Sequence, residues 1–125
     1  MRIAPMIQVA DVEVSSRWYQ DVLGLESGHG GNEYEMLLSE GQLVLQLHRW
    51  DAHEHPYLGS RHAAVGNGMS LWFETIEFDA AVVRARSSGG HILFGPEYNP
   101  NAHHHELALN DPDGYVVVIN SPFEP

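Results

Sequence analysis

The chain has 125 residues, is 43% hydrophobic and carries three Trp, five Tyr and four Phe, which gives one domain with a real core and excludes a disordered chain. Six basic residues against 17 acidic ones leave a formal net charge of −11 with His neutral; such a field repels nucleic acid and anionic membranes and favours cationic ligands. Cysteine is absent, which excludes disulfides, thiolate metal sites and a cysteine nucleophile, and no signal-like start or membrane-length apolar run is visible, so a cytoplasmic protein is expected.

Residues 3–9 read as a first strand, with Pro5 at a position whose N–H the ladder does not need. Asp11 is placed to cap a helix whose apolar stripe is Val14, Trp18 and Val22, with Tyr19 and Leu23 alongside; this makes Trp18 a core residue. Gly24 ends that helix. An extended segment from Leu25 reaches the turn at residues 28–32, residues 34–38 form a strand, and residues 43–50 form another that alternates cleanly. Leu43, Leu45 and Leu47 share one face of it; Val44, Gln46 and His48 share the other.

Residues 51–67 are polar and long for an ordinary connection, so they read as a linker or a functional loop; His53, His55 and His62 in it could serve a lid. The second half repeats the first. Residues 69–73 are a strand, Asp79 caps a helix through Ala80, Val83 and Arg86, and residues 87–90 end it. Residues 91–94 are extended until Gly95-Pro96 breaks them. Residues 103–110 and 115–119 then form a hairpin around Asp111-Pro112-Asp113-Gly114, a strong turn signal. The pattern predicts an α+β fold of two βαβββ modules, residues 1–50 and 68–125, which together make a single domain over residues 1–125 with a shared cleft.

Two stretches carry a family resemblance: Val9-Ala10-Asp11 with residues 17–25 (RWYQDVLGL), and residues 110–115 (NDPDGY). They are similar to motifs of the vicinal oxygen chelate superfamily, which includes glyoxalase I, extradiol dioxygenases, fosfomycin-resistance enzymes and bleomycin-resistance proteins. The resemblance covers nearly the whole chain. It implies a curved eight-stranded cup, commonly in a homodimer, that takes a small molecule. Metal-dependent members draw ligands from the first and last strands of each module. The matching positions here are Ala4, Gln46, Gly68 and Val118. Ala, Gly and Val have no side-chain donor, and Gln46 offers only a neutral carbonyl, so the sequence departs from the family at all four.

Strand parity points Gln46, His48, Ser70, Trp72, His104, Glu106 and Ala108 into the cup. His48, His104 and Glu106 are a ligand set for a divalent Fe, Zn, Mn or Ni at a displaced site. Glu106 and His48 are the candidate catalytic pair, with Glu106 as base; Gln46, Ser70, Trp72 and His104 are candidate substrate contacts. Trp72 is suited to stacking on an aromatic or cationic ligand. Alternation sends His105 to the face opposite His104, so the run 103–105 is not one ligand set. Two functions follow: a small-molecule enzyme of the glyoxalase or dioxygenase-like group, a lyase or dioxygenase; or a protein resembling the bleomycin-resistance binders, sequestering a cationic or aromatic compound.

Overall fold

The computed structural model describes residues 1–52 and 59–125. It divides into two compact units, Met1–Val65 and Gly66–Pro125. The first contains β1 (Met6–Val9), α1 (Val12–Leu23), β2 (Glu26–Ser27), β3 (Tyr34–Ser39) and β4 (Gln42–Arg49). Its four strands lie in the order β1-β4-β3-β2, with β1 parallel to β4 and the other pairs antiparallel. The second contains β5 (Ser70–Glu74), α2 (Phe78–Ser87), β6 (Ile92–Asn99), β7 (His104–Asn110) and β8 (Val116–Asn120), in the order β5-β8-β7-β6. The same connectivity therefore occurs twice: a βαβββ unit whose helix covers one face of a mixed sheet.

In the first unit, strand β1 starts at Met6 rather than at residue 3. Pro5 contributes only its carbonyl, which accepts from the Gln46 N–H at 2.9 Å, because proline has no N–H to give. Asp11 caps α1 as expected, its Oδ1 accepting the Val14 N–H at 3.0 Å, and Gly24 closes the helix in the left-handed region at φ 68°. The buried face differs from the expected stripe. Val12, Ser15, Ser16, Tyr19 and Val22 are buried, whereas Val14 is 51% exposed. Trp18 is only half-buried and meets the Tyr19 ring edge-on at 4.9 Å. Ser15 and Ser16 lie on the inner side, and Ser16 makes a polar contact with Glu35 on β3, which an apolar stripe does not register. The core beneath is Ile7, Val9, Leu37, Leu45 and Leu47.

In the second unit, α2 begins two residues earlier than the sequence suggests. Glu77, not Asp79, holds the N-cap and makes no side-chain cap hydrogen bond; Asp79 lies in the first turn, where a negative charge suits the helix dipole. Phe78, Ala81, Val82 and Ala85 are buried, and Val83 is 62% exposed. Strand β6 does not stop at Gly95-Pro96. It continues to Asn99 with register shifts between Ile92 and Phe94 and between Phe94 and Glu97. Gly95 has φ +83°, and a Cβ there would run into the backbone oxygen of Glu106, so this glycine forms an irregularity that lets the backbones approach rather than a terminus. Leu71, Leu107, Leu109, Val117 and Ile119 form the core. The β7–β8 turn is held by Asp111, whose Oδ1 accepts the N–H groups of Asp113 and Tyr115, each at 2.9 Å. Among the described residues no helix is long and apolar enough to cross a membrane.

Candidate functional site

Register sorts each sheet into a core side and a side turned away from its helix. In the first unit the latter carries Gln8, Tyr34, Met36, Gln46 and His48, paired as Gln8 with His48, Tyr34 with His48 and Met36 with Gln46. His48 is 5% exposed, and its Nδ1 lies 2.8 Å from the Arg49 carbonyl oxygen, which fixes the proton on that nitrogen. Gln46 is engaged at both ends. Its Oε1 accepts the Tyr34 hydroxyl at 2.5 Å, and its Nε2 donates to the Ala4 carbonyl at 3.0 Å. Tyr34 titrates above the ordinary phenol value, because burial and then the nearby Glu35 charge disfavour phenolate.

Glu35 points the other way, under α1, and was not singled out by the sequence. Its Oε2 accepts the hydroxyls of Ser16 at 2.8 Å and Ser27 at 2.7 Å. Its Oε1 accepts the backbone N–H groups of His29 at 3.0 Å, Gly30 at 2.7 Å and Met36 at 3.0 Å. Burial pushes its pKa up, but the donors from Gly30, Ser27, Ser16 and His29 outweigh that and hold the carboxyl below the ordinary value. The signal was present: alternation puts Glu35 on the same side as the core residue Leu37, where a lone carboxylate must find donors.

In the second unit the side away from α2 carries Ser70, Trp72, Glu74, His104, Glu106, Ala108, Val118 and Asn120, as parity predicts. His104 Nε2 and Glu106 Oε2 are 2.7 Å apart, and each side chain is 13% exposed. The same oxygen receives a longer contact, 3.4 Å, from Asn99 Nδ2. Asn99 is the register partner of His104, and sequence reasoning missed it because β6 was expected to end at Phe94. No hydrogen bond reaches Glu106 Oε1 or His104 Nδ1 from the described residues. Trp72 is 53% exposed, its Nε1 donates to Ser70 Oγ at 2.8 Å, and its ring centre lies 6.0 Å from that of His104. Ser70 thus holds the indole rather than standing free for a ligand.

The remaining histidines separate. His105 lies on the α2 side, its Nδ1 2.8 Å from Glu124 Oε2 and its ring 6.1 Å from Phe78. His103, at φ 56°, packs on Phe123. His62 is exposed, and the expected lid residues His53 and His55 lie outside the described residues.

Within each unit taken alone, the donors of the described residues do not make a divalent-ion site. Of the four positions the family would use, Ala4, Gly68 and Val118 have no donor atom, and the Gln46 carbonyl is taken by Tyr34. At the displaced position, His104 Nε2 and Glu106 Oε2 are hydrogen-bonded to each other, so the imidazole presents a proton, not a lone pair, toward the carboxylate. Within either unit no third His, Asp or Glu among the described residues completes a ligand set.

Paired βαβββ units define a fold class, and the sequence places the chain within it. The model of the Glyoxalase/Bleomycin resistance protein/Dioxygenase superfamily matches residues 3–119, and the chain belongs to that family. Similar solved structures include a protein of unknown function from Agrobacterium tumefaciens str. C58, at 23% identity over 98% of this chain and 95% of that one, with a TM-score of 0.80. Lactoylglutathione lyase from Agrobacterium tumefaciens is 19% identical over 98% of this chain and 93% of its own, TM-score 0.71. TioX from Micromonospora sp. ML1 is 16% identical over 97% and 98%, TM-score 0.72. These likenesses establish the fold. No curated protein sequence matches the chain.

Proposed function

We propose that this protein binds and sequesters a planar aromatic or cationic small molecule on the side of its second sheet turned away from α2, in the manner suggested by the bleomycin-resistance branch of its family. The observation that carries this reading is Trp72: a large indole, 53% exposed, held in place by Ser70. An exposed aromatic plate with a fixed orientation costs little to order on binding and attracts cations through its π face. Glu74, Glu97 and Glu106 share its side of the sheet by register, and the net charge of −11 adds a long-range attraction for positive ligands. The unsuitable metal donors point the same way, because binding needs none.

Titration calorimetry with N-methylacridinium and with its uncharged relative acridone tests the reading. The cation is expected to bind more tightly, with a preference that shrinks as salt is added. Trp72→Ala is expected to weaken both ligands about tenfold. Equal affinity of wild type and Trp72→Ala, or no uptake of either compound, overturns it. A homodimer belongs to the same reading and rests on the family resemblance; sedimentation velocity should give a species of twice the 14.0 kDa chain mass. The second reading, a small-molecule enzyme, is favoured by one specific observation, the His104–Glu106 pair.

A further inference from the structure

We infer that His104 is a general base, positioned by Glu106, that removes a proton from a planar aromatic ligand resting on Trp72, without a metal. The argument starts from protonation states. An ionised carboxylate only accepts hydrogen bonds, so the 2.7 Å contact between Glu106 Oε2 and His104 Nε2 places the imidazole proton on Nε2. The lone pair then sits on Nδ1, which no described residue engages. The carboxylate also stabilises the imidazolium that forms once Nδ1 takes a proton, the same division of labour as in a hydrolase triad. Asn99 Nδ2 holds the carboxylate from β6, at 3.4 Å. The sequence alone suggested Glu106 as the base; the geometry gives that part to His104 and makes Glu106 a positioning residue.

The other requirement is a way to hold substrate beside the base. Trp72 and His104 have ring centres 6.0 Å apart with planes 47° apart, so a flat ring laid on the indole comes alongside the imidazole. The charged groups that share this side of the sheet with His104 are Glu106 on its own strand, Glu97 on β6 and Glu74 on β5, all of them acidic. The chemical class that fits is a neutral or cationic heteroaromatic carrying an acidic C–H.

The probe is 5-nitrobenzisoxazole. Nδ1 takes the C3 proton, the C–H electron pair forms the nitrile, the N–O bond breaks, and the oxygen leaves as phenolate; the imidazolium returns its proton to water. Wild type should turn the probe over about a hundredfold faster than free imidazole at equal concentration. The rate should rise with pH through one ionisation to a plateau. His104→Ala should abolish turnover while keeping the wild-type circular dichroism spectrum and melting curve. Glu106→Gln should lower kcat about tenfold and leave KM unchanged, a split that a merely structural role would not produce. The inference uses the Trp72 platform of the binding reading, and the two fail separately. Acridinium binding without turnover overturns the inference alone, as does wild-type turnover in His104→Ala. Loss of acridinium binding overturns the platform and the inference with it.

Discussion

Glu35 and Glu106 lie on the third strand of their respective units, β3 and β7, in sheets of the same connectivity. They face opposite ways. Glu35 points beneath α1 and receives five hydrogen bonds, two from serine hydroxyls and three from backbone amides. Glu106 points away from α2 and receives both of its contacts on one oxygen, from His104 and Asn99. A saturated carboxylate has nothing left to offer a ligand and everything to offer a loop: the Glu35 oxygens gather the amides of His29 and Gly30 into a fixed turn. A half-used carboxylate keeps chemistry in reserve. Accounting for donors, more than residue type, separates the structural acid from the functional one.

Three substitutions bear on that contrast, in order of size. Gly95→Ala should do the most damage, because it adds strain at φ +83° and drives a Cβ into the backbone of Glu106. We expect a loss of about 3 kcal/mol, a melting temperature lower by roughly 10 °C, and impaired ligand uptake, all in the second unit; a near-wild-type melt would mean that the β6 irregularity does not hold Glu106. Glu35→Gln should cost about 2 kcal/mol, because buried hydrogen bonds to a charged group are lost or weakened, with no direct effect on ligand affinity. Its pH dependence has a definite sign. The Glu35 pKa is lower folded than unfolded, so its stabilisation is complete above the unfolded value, about 4.3, and disappears as pH falls through the folded value. Melting curves of wild type should therefore converge toward those of Glu35→Gln on acidification below that point; a constant gap would contradict the assignment. Glu106→Gln should change stability least, within about 0.5 kcal/mol, while weakening cation binding. A cost equal to that of Glu35→Gln would erase the distinction between the two acids.

Much of the fold was legible. The Asp11 cap, the Gly24 stop and the Asp111-Pro112-Asp113-Gly114 turn are local signals with local causes, and each sits where its chemistry requires. What failed depended on tertiary contact. Val14 and Trp18 fitted a helical stripe, but Ser15 and Ser16 took the inner side because Ser16 serves a buried acid on another strand. Gly95-Pro96 looked like a strand end, and only the approach of β7 shows why the strand continues. For the candidate site, period-2 parity correctly grouped Ser70, Trp72, His104 and Glu106 on one side. It could not reveal that Ser70 is spent on Trp72 or that Gln46 is spent on Tyr34, since side-chain pairing is decided by rotamers that no spacing encodes.

The tight corner between β7 and β8 has an evolutionary corollary. Its length sets which rung of β8 lies opposite each rung of β7, and Glu106 now stands across from Asn120. Adding or deleting one residue within 111–114 could be absorbed by sliding β7 a single rung. That slide would swap its two sides, sending Leu107 into water and Glu106 beneath the helix. Lineages that keep Glu106 on this side of the sheet should therefore tolerate changed letters at the corner far better than a changed count.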